Sequence, residues 1–158
     1  MNLQFYIEKL ESSEVFQNFK KKNKQAYLAS AFFTIDIVNN STKIQLDYFN
    51  KDNFAVFLLN EEIQLKQEDA AKTNKPEKLG SSQLDISKLP EITEKILTKN
   101  NISEKLTKII AILTQQSKPV FSLSCITSFM SVIKIKLDDS GKCLSFEKLN
   151  LFDFVKKQ

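Results

Sequence analysis

The sequence predicts an α+β protein of two units, each a helix followed by a meander of antiparallel strands, with the helices packed on one face of the sheet. Three observations predict it. Apolar residues recur at helical spacing at the start of each half, as in Leu3, Tyr6, Ile7 and Leu10. Further along each half they alternate with polar residues in short runs, the period of a half-buried strand. Between the halves, Gln67 to Ser82 carries Pro76 and Gly80 and no periodic apolar residue, which is the composition of a linker. The expected boundaries are 1–66 for the first unit, 67–83 for the polar linker and 84–158 for the second unit.

The first helix is interrupted at Ser12-Ser13 and resumes with Val15, Phe16 and Phe19, so one broken helix and two short ones are both open. It then runs into Lys20, Lys21, Lys22 and Lys24, where positive charge complements the C-terminal end of the helix dipole and Asn23 is placed to cap. Those lysines read either as a solvated helix end or as a basic patch for an acidic partner. From Tyr27 the period becomes two. Phe33, Ile35 and Ile37 share one strand face, Asn39-Asn40-Ser41 turns the chain, and Ile44, Leu46 and Tyr48 line the next strand. Phe54 to Leu59 is apolar on both faces, which predicts a central, well-covered strand, and Ile63 with Leu65 adds a short fourth.

In the second half, Pro90 suits the first turn of a helix whose apolar face is Leu89, Ile92, Ile96 and Leu97, with Glu91 and Glu94 near the positive end of its dipole. Strands follow at 108–114, 120–127, 131–138 and 143–149. Asp138-Asp139-Ser140-Gly141-Lys142 makes a tight hairpin between the last two, with Gly141 where positive φ is needed.

Composition bounds the chemistry. Hydrophobic residues are 42% of the chain and 13 are phenylalanine, enough to bury a core in 158 residues. There is no arginine, histidine or tryptophan. The chain therefore lacks the side chain that titrates near neutral pH and the planar fork that holds carboxylate or phosphate by two bonds. An AT-rich genome would produce the same absence, so both causes stand. The net charge of +4 is spread along the chain and does not mark a nucleic-acid footprint. Met1 to Lys9 has no basic segment leading into an apolar one, and no run approaches roughly 18 uninterrupted apolar residues, so a cytoplasmic protein without a membrane span is expected.

The candidates for catalysis each lack a partner. Glu61-Glu62 and Asp138-Asp139 fall at turns, where water keeps paired carboxylates from being driven apart in pKa. Cys125 shares strand parity with Phe121 and Leu123 and reads as a buried thiol, while Cys143 has the opposite parity to Leu144 and Phe146, so no disulfide is expected between them. Two glycines cannot write a phosphate loop, and no Cys/His cluster exists for zinc. Neither catalytic residues nor a cofactor nor a metal site is expected. The tail Leu149, Leu151, Phe152, Phe154 and Val155 either completes the sheet or offers a docking strand or dimer contact.

The run Ile135-Lys136-Leu137-Asp138-Asp139-Ser140-Gly141-Lys142-Cys143-Leu144, with the helix and strands that precede it, resembles the late hairpin of PepSY-type modules, over about Leu84 to Leu149. The layout as a whole is similar to that of archaeal proteins with a helix, an Ala-Tyr-Leu-x-x-Ala-Phe-Phe segment, here Ala26 to Phe33, and an apolar tail. The resemblance implies a PepSY/cystatin-like fold and a non-catalytic role in inhibiting or chaperoning peptidases or in regulation. The leading expectation is thus a protein-interaction or regulatory module that binds another protein or itself, with Lys20, Lys21, Lys22, Phe152 and Phe154 as candidate contacts. The alternative is a carrier of a small apolar ligand on a phenylalanine-lined concave sheet.

Overall fold

A computed structural model describes residues 1–69 and 74–149. Two short helices open the chain, α1 (Leu3–Glu11) and α2 (Glu14–Lys22), and four strands follow: β1 (Tyr27–Asp36), β2 (Ser41–Asn50), β3 (Asn53–Leu59) and β4 (Ile63–Asp69). The second half has a 3-10 turn at Ile86–Lys88, then α3 (Leu89–Lys99), β5 (Leu106–Gln116), β6 (Lys118–Thr127), β7 (Val132–Asp138) and β8 (Cys143–Leu149). Phe152 and Phe154 lie outside the described residues.

The break between α1 and α2 is made by the two serines. Ser12 ends α1, its backbone N–H still donating to Glu8, and Ser13 begins α2 by accepting from the Phe16 N–H at 3.2 Å. Pro90 sits in the first turn of α3, where its missing N–H costs nothing. Gly141 adopts φ +86°, the left-handed conformation that favours glycine, and a Cβ there would approach the end of the Ile92 side chain at 3.2 Å.

The eight strands form one antiparallel sheet in the order β4-β3-β2-β1-β5-β6-β7-β8. The two meanders meet back to back where β1 pairs with β5, with Phe32 opposite Ile112 and Phe33 opposite Ala111. β1 and β5 are consequently the central strands. β3, expected at the centre because both its faces are apolar, is second from the edge. Its Phe57 packs under α2 against Phe16 and Phe19, and Val56 is buried on the far face between its cross-strand neighbours Asp47 and Lys66. Coverage by neighbouring side chains, rather than a central position, accounts for its composition.

The helices cover one face. Beneath them lie Ala31, Phe33, Leu46, Tyr48, Phe57, Ile109, Leu113, Phe121, Leu123 and Ile135, in one cluster with Leu3, Leu10, Phe16, Phe19, Leu89 and Leu97 from the helices. Large apolar side chains of this kind contribute about 1.5–3 kcal/mol each when fully buried, and this shared layer holds the two units together.

The segment read as a polar linker is more ordered in its contacts than its composition suggests. Gln67–Asp69 complete β4, and residues 74–85 form a strap pinned to both halves. The Tyr27 hydroxyl donates to the Pro76 carbonyl at 2.6 Å, the Leu79 N–H to the Leu28 carbonyl at 2.8 Å and the Gly80 N–H to Gln115 at 2.9 Å. Beyond these, the Ser82 hydroxyl and Gln83 N–H donate to Asp139. Leu79, Ser82 and Leu84 are buried. No described helix is long and apolar enough to cross a membrane.

Candidate functional site

A concavity of about 740 Å³ opens between α1, α2, the start of β1 and the strap. Ile7, Phe16, Ala26, Leu28, Tyr48 and Leu79 supply apolar walls, and Lys20, Lys21, Lys24 and Lys78 stand around it with Glu11. Local chemistry places each part. Phe16 is held down on the sheet by Tyr48 and Phe57, with ring centroids 5.2 and 5.5 Å away. Aromatic contacts of this type add about 0.5–1.5 kcal/mol beyond burial. Where α2 ends, Asn23 caps the helix by donating its side-chain amide to the Phe19 carbonyl, and it accepts in turn from Asn50 on β2. Lys20 donates its ammonium to the Ala26 carbonyl at 2.6 Å, bridging the reversal between α2 and β1. A register shift between Leu28 and Ser30 in β1 lets both Leu28 and Ala29 be buried, and the Leu28 carbonyl takes the strap.

Burial pushes the Tyr48 hydroxyl above the ordinary tyrosine range, and the Glu11 carboxylate raises it further. The phenol is therefore held neutral. Among the described residues, none of Lys20, Lys21, Lys24 and Lys78 forms an ion pair.

Of the lysines singled out from the sequence, Lys20 and Lys21 line this pocket. Lys22 lines instead a smaller basic groove of about 400 Å³, shared with Lys21, Lys24, Asn50 and Lys51. Lys78 and Leu79 were not legible as site residues. They belong to a polar stretch more than fifty positions after α2, and nothing local signals that the strap returns to it.

The carboxylate pairs are occupied by turn structure. Asp138 accepts from the Ser140 N–H and hydroxyl and from the Lys142 N–H, which hold its carboxyl below the usual range. Asp139 anchors the strap. Glu61 and Glu62 are exposed in the β3–β4 turn. Cys125 is buried under α3, and burial pushes its thiol up to about 12, offset only in part by the Thr93 hydroxyl and Lys134. Cys143 is exposed and free. Among the described residues there is no group of three or more side chains able to hold a metal ion.

The opposite face of the sheet bears a second, more polar groove of about 490 Å³. There Ile112, Ser122, Ser124, Lys134, Lys136, Ser145 and Glu147 lie in adjacent strands, and Lys134 donates to the Ser124 hydroxyl at 2.7 Å.

These features define an α+β protein with a single eight-stranded antiparallel sheet, helices on one face and a lysine-ringed apolar pocket between the N-terminal helices and the strap. The chain is similar in fold to a solved structure of a putative lipoprotein from Clostridium difficile 630. That likeness has a TM-score of 0.53 at 16% identity and covers 85% of this chain and 90% of the other, a level that speaks to fold alone. No protein-family model matches the chain, and no curated protein does.

Proposed function

We propose that this is a non-catalytic binding protein that holds the apolar part of a small ligand in the pocket between α1, α2 and the strap. The observation that carries this is the pocket itself. Its volume of about 740 Å³ falls within the range typical of small-molecule sites, and its walls are aliphatic and aromatic. The cavity differs in position from a phenylalanine-lined sheet: one phenylalanine, Phe16, lines it, while Phe33, Phe57 and Phe121 are spent in the core. The PepSY-like order of elements in the second half supports a role without catalysis. Native mass spectrometry of freshly expressed protein, with displacement of an environment-sensitive apolar dye, tests the reading. A retained small mass and saturable dye binding that is lost in Leu28→Asp are expected. A clean apo mass with no dye binding would overturn it.

Binding of another protein is the second reading, and one observation favours it. Phe129 and Met130, at the β6–β7 turn, are 73% and 65% exposed, and Val38 in the β1–β2 turn is 69% exposed. Both turns lie at the end of the sheet where β5 begins, since Ile37 bonds to Thr107 and Ser128 to Lys105. Three bare apolar side chains on one end of a small protein fit an interaction tip. Pull-down with the natural chain and with Phe129→Ser tests it, and capture that is unaffected by the substitution counts against this tip.

A further inference from the structure

We infer that the ligand of the α1–α2–strap pocket is an amphiphilic anion, an apolar chain carrying a carboxylate or phosphate head that lies among Lys20, Lys21, Lys24 and Lys78. The inference rests on the apolar-ligand reading above and adds the charge of the head group.

Four lysines line one pocket against a single acidic residue, Glu11, and Lys21 and Lys24 also border the neighbouring basic groove. Lys20 and Lys21 stand in the last turn of α2 and Lys24 just beyond its Asn23 cap, so three like charges are gathered within five residues. The fourth, Lys78, is brought in by the strap, through the hydrogen bonds of Pro76 to Tyr27 and of Leu79 to Leu28 on either side of it. No described carboxylate pairs with any of the four. Among the described residues, folding thus gathers positive charge beside an apolar cavity without pairing it. An anion whose tail occupies the space beside Phe16, Leu28, Tyr48 and Leu79 would relieve the repulsion and fill the cavity together. A neutral ligand answers only the second need, and a cation would worsen the first. With no arginine in the chain, recognition is by point charge rather than by a bidentate fork, so carboxylate and phosphate heads both satisfy it.

Isothermal titration of the full chain with dodecanoate, dodecyl phosphate, dodecanol and dodecyltrimethylammonium, all below their micelle concentrations, provides the test. Both anions should bind at least tenfold more tightly than dodecanol, the cation should not bind, and the advantage of the anions should shrink as salt is raised. Whichever anion binds better identifies the head group, and either order upholds the inference. Lys20 is left in place because it also holds the Ala26 carbonyl. In the triple variant K21Q/K24Q/K78Q, dodecanoate affinity should fall by about tenfold, the sum of three screened ion pairs, with dodecanol unchanged. Equal binding of dodecanol and the anions would overturn the anionic head and leave the apolar pocket standing. Failure of every amphiphile would overturn both. Should the triple variant not fold, the order of the four probes and its salt dependence on the natural chain still decide.

Discussion

Leu79 donates its backbone N–H to the carbonyl of Leu28 at 2.8 Å, and the side chains of both residues line the same pocket. One hydrogen bond therefore joins the strap to the first strand of the sheet and closes a wall of the pocket. The stability of the fold and the proposed ligand site meet at this point.

Leu79→Ala tests the coupling. The side chain is buried in the main cluster, so truncation should cost about 2–3 kcal/mol by loss of burial and incomplete collapse. Urea unfolding should show the loss, and dye affinity should fall with it. An unchanged midpoint would mean that the strap contributes nothing to the core.

Asp47 should make stability depend on pH. It lies on the face without helices, accepts from Gln45 at 2.9 Å, and is raised to about 6 by burial, with the Gln45 hydrogen bond opposing and Glu68 adding to the rise. Its folded pKa is above its unfolded one, so the stabilisation it contributes is complete below the unfolded value of 3.8 and is lost as pH climbs through about 6. Discounted for residual solvent screening, the loss is about 1–2 kcal/mol. Asp47→Asn should flatten the decline between pH 4 and 6 in denaturation curves and be more stable than the natural chain at pH 7. A decline that persists in the variant would assign it to another group.

Met130 adopts φ 59° in the β6–β7 turn, a conformation that costs a side chain with a Cβ about 1 kcal/mol and that asparagine tolerates better. Met130→Asn should raise thermal stability by a few degrees. Phe129→Ser, at a side chain 73% exposed, should leave it within about 0.5 kcal/mol. A large loss from either would show that the tip packs on something within the chain.

The two thiols should differ sharply in reactivity. Cys143 is exposed and should titrate with a disulfide reagent within minutes at pH 8. Cys125, buried and with its thiol pushed up to about 12, should react only on unfolding. Two fast equivalents in the native protein would contradict the packing of α3 over β6.

The strand order within each unit was legible because alternation reports which face of a strand is buried. Ile133, Ile135 and Leu137 declared their side against Lys134 and Lys136, and Cys125 is buried as its parity predicts. Cys143 is exposed, but a register shift in β8 sets it opposite Leu137, on the face that parity alone denied it. The helix break was legible as the pause at Ser12-Ser13, while the capping that makes two helices of it was seen only in the structure. The position of β3 was misread because an apolar run records how well a strand is covered and says nothing of its place in the sheet. The pocket was legible only in part. Lys20 and Lys21 stood out as charge at a helix end, but a polar run such as 74–83 looks the same whether it hangs free or is tied down by hydrogen bonds to partners far away in the chain, such as Leu28, Gln115 and Asp139.

Local periodicity, capping residues and turn chemistry determined, from the sequence alone, the class of fold, the two helix-plus-meander units and the burial of Cys125. Those signals are written within a few residues of where they act. Only the tertiary structure decided that β1 and β5 join the units into one sheet, that the strap crosses back to Leu28, and that Lys78 comes to stand beside Lys20, Lys21 and Lys24. Each of these is a contact between residues far apart in the chain, set by which surfaces can be buried together rather than by any local preference.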